Sequence, residues 1–188
     1  MAEDLNPLSY VVLGMVGRGG AGAHDVVDMM RRGGRLHWAA AESKLYAEPK
    51  RLERLGYLRS REEPGRTRAR RVYELTPEGE GALRAWLREP TPFPRIQSEA
   101  AVRMMAGDLA DDGDLLSSLV AMRGEIALRR AALAETEAIV DEIPHRTRNL
   151  RLVLSLGDRV LDAHEAWLAE VERELGGEAS GDDDGPAH

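Results

Sequence analysis

The chain has 188 residues, 43% of them apolar and none of them cysteine. That is enough for one large domain or two small ones with real cores, and it excludes disulfides, Cys-ligated metals and thiol catalysis. The net charge of -7 is unevenly spread: residues 31–71 hold 13 Lys+Arg against 5 Asp+Glu, whereas residues 91–188 hold 10 against 20.

Leu5 to Val16 reads as a first helix, with Asn6 as its cap and Pro7 in its first turn. Its apolar run, Leu8 to Val16, is too short to span a bilayer and has no basic region before it. The expectation is a soluble, cytoplasmic protein with no membrane partner. Gly17, Gly19, Gly20 and Gly22 read as a connector, because no strand precedes them and no Gly-Lys-Ser/Thr follows. Ala23 to Arg32 is a second helix, stopped by Gly33-Gly34.

Trp38 and the alanines after it lead into a third helix that runs to about Leu55. Leu45, Pro49 and Leu52 share one face of it at helical spacing, and Ser43, Tyr46, Ala47, Lys50 and Arg54 lie on the other. Both lysines of the chain, Lys44 and Lys50, fall in this helix. Pro49 removes the amide bond back to Leu45, so either the helix bends or its outward-reading part ends before Pro49. Leu58 to Arg61 and Arg70 to Leu75 read as two short strands around a Glu63-Pro64-Gly65-Arg66 turn. Arg66, Arg68 and Arg70 cluster at this hairpin, and Arg71 shares strand parity with Tyr73 and Leu75, which offers it the domain body as an alternative. Thr76 caps a fourth helix, with Pro77 as its first residue and Leu83, Trp86 and Leu87 as its buried side.

A helix with a basic edge followed by a basic hairpin is the DNA-touching pair of a winged helix-turn-helix. The local net charge of +8 over residues 31–71 fits phosphate binding. A helix fits the major groove, where short polar and long basic side chains reach base edges, while wing arginines contact phosphates.

Pro90-Thr91-Pro92-Phe93-Pro94 reads as a stiff linker and a domain boundary. Beyond it the pattern is helical throughout. Helices are expected over Ile96 to Leu109, over Asp114 to Val140, and over Arg146 to Leu175 after the turn at Pro144. The last carries Val153, Val160, His164, Leu168, Val171 and Leu175 on one stripe, widened by Leu156 and Trp167. So much apolar surface calls for a partner helix, and a second copy of the chain is the natural one. The expected division is a DNA-binding domain over 1–90, a helical dimerisation and possible ligand-sensing domain over 91–175, and a disordered acidic tail over 176–188. The fold class is mainly α: an N-terminal winged helix-turn-helix with a two-stranded β-wing, then an all-helical dimerisation domain.

His164 and Trp167 lie on or beside the last stripe, as packing residues or as the lining of a ligand pocket. The histidines at 24, 37, 145, 164 and 188 show no metal-ligand spacing, and none reads as paired with an acid at a helical interval. No nucleophile-base pair or phosphate loop supports an enzyme, and no cofactor is implied.

Two motifs stand out together: Ser43-x-Leu45-Tyr46 followed by Lys50-Arg51-Leu52-Glu53-x-x-Gly56-Tyr57-Leu58, then Tyr73-x-Leu75-Thr76-Pro77-x-Gly79. With the late Trp167, they resemble the PadR family of bacterial transcriptional regulators over residues 5 to about 175. The resemblance implies a homodimer on a near-palindromic operator, usually as a repressor. It also implies dimerisation through the C-terminal helices with the first helix, and a small aromatic or drug-like effector near the dimer interface. By position, Ser43, Lys44, Tyr46 and Lys50 would face DNA, and Arg66, Arg68 and Arg70 would reach phosphate or the minor groove. Trp167 and His164 are the candidate effector contacts. A protein-binding winged helix module and a MarR-like regulator remain as alternatives, although here the long helices are almost all C-terminal.

Overall fold

The structure, a computed structural model, describes residues 5–64 and 69–177. The tip of the expected wing, with Arg66 and Arg68, and the chain from residue 178 lie outside the described residues. The chain divides into two compact units, Met1–Pro92 and Phe93–His188.

In the first unit, α1 spans Pro7–Val16. Asn6 and Ser9 cap it reciprocally: the Ser9 amide donates to Asn6 Oδ1 and the Asn6 amide to Ser9 Oγ, both at 3.1 Å. Helix α2 spans Ala23–Met29. It does not stop at the Gly33-Gly34 pair, as the sequence suggested. It widens into a π-turn over Met30–Gly34 and closes with a last turn, Arg35–His37. The cause is packing: Met30 is fully buried, and a Cβ on Gly34 would stand 2.7 Å from its sulfur. Glycine here permits close approach, rather than ending the helix.

Helix α3 spans Glu42–Arg54. Strands β1, Leu58–Glu63, and β2, Arg70–Leu75, pair antiparallel, with Leu58 opposite Leu75 and Glu63 opposite Arg70. Ala21, in the glycine-rich loop, exchanges backbone bonds with Tyr73 at 2.9 and 3.0 Å, so the loop also covers the far edge of β2. Val72 and Tyr73 are therefore both buried, although successive strand residues point to opposite faces. Helix α4 spans Pro77–Trp86, and Thr76 Oγ1 accepts from the Gly79 amide at 3.1 Å. Of its expected buried side, Leu83 packs on the core. Trp86 stays 40% exposed and stacks on Tyr10 with ring centroids 4.9 Å apart. Leu87, the C-cap of α4, still donates its amide to the Leu83 carbonyl at 3.0 Å, yet its side chain is exposed. The core of this unit gathers Val12, Leu13, Val26, Val27, Met30, Leu45, Leu52 and Leu58.

The second unit is helical, with shorter pieces than expected. Helix α5 covers Glu99–Met105, followed by a 3-10 turn at Gly107–Leu109. Ser98, not Ile96, sets its start: Ser98 Oγ accepts from the Ala101 amide at 3.2 Å. The single helix expected over Asp114 to Val140 is two, α6 at Asp112–Val120 and α7 at Met122–Ile139. The ladder tightens between them, where the Gly124 amide donates to the Ala121 carbonyl at 3.3 Å. Helix α8, Thr147–Gly176, packs on both. Leu115, Leu119, Ile126 and Leu133 meet Leu154, Gly157, Leu161, Leu168 and Val171 as the buried residues of these helices. Arg130 of α7 donates to Asp162 at 2.6 Å and to Glu165 at 2.7 Å across the α7–α8 seam.

The expected stripe on α8 is thus offset in its first half. Leu154 and Leu161 face inward, while Val153 and Leu156 are about half exposed and Leu152 more so. The helix carries more apolar residues than its neighbours cover, so two adjacent stripes compete for one seam. The second stripe, through Leu152, Val153 and Leu156, stays open in the single chain.

Candidate nucleic-acid interface and ligand cleft

Helix α3 is a one-sided rod. Leu45, Glu48, Pro49 and Leu52 are its buried side. Ser43, Lys44, Tyr46, Ala47, Lys50 and Arg54 are exposed. The helix runs through Pro49 as one element, although an interior proline removes a backbone bond and costs about 3 kcal/mol. Lys50 therefore stays on the same exposed face as Tyr46, one turn further on.

Glu48, beside Pro49, is the functional-unit residue that sequence reasoning passed over. It is 6% exposed, and its Oε1 accepts from Ser9 Oγ at 2.7 Å and from Arg51 Nη1 at 2.9 Å. A carboxylate needs such donors to be buried. Ser9 is itself buried and already bonded to Asn6, so the cap of α1 is wired to the middle of α3. An acid on the apolar face, between Leu45 and Leu52, was the available signal.

The start of α3 is clamped to α2 and its π-turn. Arg31 donates to both Glu42 oxygens, at 2.9 and 2.8 Å, and Arg35 donates to one of them at 2.6 Å. The bonds from Arg31, and then the charges of Arg31 and Arg35, hold the Glu42 carboxyl below the ordinary carboxylate value against partial desolvation. Behind this clamp, His24 Nδ1 lies 3.1 Å from the Tyr46 hydroxyl, and its Nε2 lies 3.4 Å from Asp28. His24 and Asp28 are four residues apart, so the expectation that no histidine pairs with an acid at a helical interval is overturned. The helical period places i and i+4 on one face.

The cations divide into two sets. Among the described residues, Lys44, Lys50 and Arg54 form no ion pair within the chain. The hairpin arginines are engaged. Arg59 and Arg61 hold Glu74 at 3.1 and 2.6 Å, and Arg70 bridges Asp25 at 3.3 Å and Glu63 at 3.2 Å. Arg71 does not turn into the domain body. It is exposed and lies 3.7 Å from Glu53 at the end of α3, because Ala21 and the core already occupy both sides of β2. Arg66 and Arg68 fall outside the described residues.

The other candidate residues meet in the second unit. Ser98, Ala101 and Met104 of the α5 region and Ala163, His164 and Trp167 of α8 line an open cleft of about 390 Å³. His164 Nδ1 lies 2.7 Å from the Val160 carbonyl, so Nδ1 carries the hydrogen and the neutral ring leaves Nε2 as an acceptor. The lining is otherwise mainly apolar. No helix among the described residues is long and apolar enough to cross a membrane.

A helix pair fixed at its corner, a solvent-facing helix with free cations, and a two-stranded hairpin define a winged helix-turn-helix unit, here followed by a separate set of helices. Residues 13–85 match the model of the transcriptional regulator PadR-like family. A curated relative, the negative transcriptional regulator PadR of Bacillus subtilis (strain 168), is 28% identical over 88 residues, 46% of this chain and 48% of that protein. The matched region thus spans about half the length of that relative. The fold is also that of solved structures. Bacillus subtilis PadR in complex with operator DNA matches at a TM-score of 0.64 and 19% identity, over 88% of this chain and 99% of that one. The PadR-like transcriptional regulator of Bacillus cereus matches at 0.73 and 18%, over 94% and 98%. Bacillus subtilis PadR in complex with p-coumaric acid matches at 0.57 and 19%, over 88% and 98%. The matched family and the curated relative are both named as transcriptional regulators.

Proposed function

We propose that this chain is a sequence-specific, DNA-binding transcriptional regulator that acts in the cytoplasm as a homodimer, as a repressor relieved by a small molecule. The observation that carries the reading is the set of three exposed cations without ion pairs among the described residues, Lys44, Lys50 and Arg54, on the same helix surface as Ser43 and Tyr46. Ser43, Lys44, Tyr46 and Lys50 face the major groove, with the two lysines on the phosphates at its rim. Arg66, Arg68 and Arg70 serve the flanking phosphates from the wing. For Arg70 this means exchanging Asp25 and Glu63 for phosphate, so its net contribution is smaller than that of a free cation. The matched Bacillus subtilis protein has been solved on operator DNA and is named a negative regulator, which supports the repressor reading.

The open stripe of α8 at Leu152, Val153 and Leu156 supports dimerisation through residues 91–175, with residues 1–90 as the DNA-binding part. The cleft at His164 and Trp167 supports a small, flat, largely apolar effector, stacked on the indole, with a hydroxyl or acid hydrogen for His164 Nε2. The relative's complex with p-coumaric acid is of that chemical kind.

The test is a gel shift on the DNA upstream of the chain's own gene at two salt concentrations. With Lys44, Lys50 and Arg54 from two protomers on phosphates, these six contacts alone make the log–log salt slope about -5, a loss of about a thousandfold between 50 and 200 mM salt, and the wing arginines steepen it further. Lys44→Ala makes that slope shallower by about two, one phosphate contact for each protomer, whereas Arg59→Ala, already bound to Glu74, leaves it nearly unchanged. Equal effects of the two substitutions, or salt-insensitive binding, contradict the assignment.

A further inference from the structure

We propose that His24 belongs to the DNA-facing surface as a positioning residue: it holds the Tyr46 hydroxyl, and its protonation decides whether that hydroxyl can donate to a phosphate. This rests on the DNA-binding reading above. It concerns a side chain outside α3 and outside the wing, the two elements that reading uses.

Asp28 is an acceptor only, so the His24 Nε2 facing it at 3.4 Å carries the hydrogen. A neutral ring then presents the Nδ1 lone pair to Tyr46, and the phenol donates its one hydrogen across the 3.1 Å contact. In that state Tyr46 has nothing left to donate. Phosphate oxygens are acceptors, so the phenol and the phosphate cannot bond. When His24 takes a second proton, Nδ1 becomes a donor and the bond reverses: Nδ1–H donates to the phenol oxygen. The phenol hydrogen is released to swing outward, toward the exposed face shared with Lys50. One proton is gained by the imidazole and no other bond breaks.

The groups around the imidazole can be named element by element. On α2 they are Asp25 and Asp28. From the π-turn comes Arg31, whose Nη1 lies 3.5 Å from Asp28. From α3 come Tyr46 itself, with Glu42 and Lys50 one turn to either side of it. From β2 comes Arg70, which engages Asp25 at 3.3 Å. Helix α1 carries no charged side chain. The phosphate can take the phenol hydrogen only when Nδ1 carries a hydrogen of its own. Binding of DNA then draws a proton onto His24, and affinity rises as pH falls.

Two measurements test this. The first is the nitrogen-15 shift of the His24 ring in the free protein at pH 8. The expected result is the Nε2–H tautomer. An Nδ1–H tautomer overturns the proposal. The second is DNA affinity from pH 8.0 to 5.5 for the wild type, His24→Gln, Tyr46→Phe and the double variant. Wild-type affinity is expected to rise about three- to tenfold beyond the trend of His24→Gln, as one proton taken up with the DNA requires. Tyr46→Phe should lose that rise although His24 is intact, and the two substitutions should be non-additive. A rise that persists in Tyr46→Phe means that His24 meets phosphate itself, and it overturns the positioning role. If no variant binds DNA at any pH, the DNA-binding reading falls and this inference with it. Binding with a pH profile shared by His24→Gln overturns this inference alone.

Discussion

At the scale of single residues, Gly79 shows what a motif position is for. Its spacing after Thr76-Pro77 marks a helix start in the sequence, but the structure gives it a second task. A Cβ at Gly79 would stand 2.0 Å from the Tyr57 carbonyl oxygen. The same carbonyl accepts from the Thr76 amide at 3.2 Å, and Thr76 Oγ1 donates to Gly56 at 2.6 Å. The turn that follows α3 is thereby fastened to the start of α4, with the hairpin between them. Gly79→Ala must push this joint apart, and it is expected to cost about 3 kcal/mol and lower the melting midpoint by about 10 °C or more. An unchanged midpoint in a thermal scan would show that the joint yields freely. Glu48 teaches the complementary lesson. Periodicity alone files it with the apolar face, yet its burial is understood only with Ser9, 39 residues away, in view. Local pattern finds which side of α3 is buried, whereas the partner of a buried charge is a tertiary fact.

At the scale of elements, α2 and α3 behave as one corner because of Glu42. Its carboxyl is held low chiefly by the bonds from Arg31. A carboxyl lowered in the folded state stabilises the fold above its unfolded value of about 4.3, and that contribution is lost as pH falls through the lowered value. The corner is therefore expected to loosen in acid below about pH 4. Glu42→Gln should lower stability in the neutral region and flatten that acid limb, so that the two proteins converge at low pH. A profile with the same acid limb in both proteins would assign the loss to other carboxyls. The hairpin and its caps were legible because proline, threonine and turn residues act locally. The passage of α2 through Gly33-Gly34 was not. Two adjacent glycines read as a stop, and only the burial of Met30 beneath Gly34 explains why the chain stays wound.

At the scale of the whole molecule, the first unit was far more readable than the second. Its elements are bounded by residues with strong backbone preferences. Residues 96–140 hold mostly good helix formers, and the break at Ala121 has no proline beside it, only Gly124 at the tightened turn. The stripe of α8 was misplaced by one residue at Leu154 and Leu161 for a related reason: the helix has apolar residues to spare. The spare ones carry the prediction for assembly. Leu156→Glu puts a charge in the open stripe and is expected to shift sedimentation from dimer toward monomer, with the helical content unchanged. A dimer that survives the substitution would place the interface elsewhere.

The two lysines have a practical consequence in chemical labelling. Apart from the α-amino group, they are the sequence's primary amines, and both stand exposed on α3, free of ion pairs among the described residues. An acylating reagent therefore addresses this one helix and passes over the arginines elsewhere. Mass spectrometry of a partly acylated sample becomes a direct gauge of how much of that helix is covered, whatever covers it.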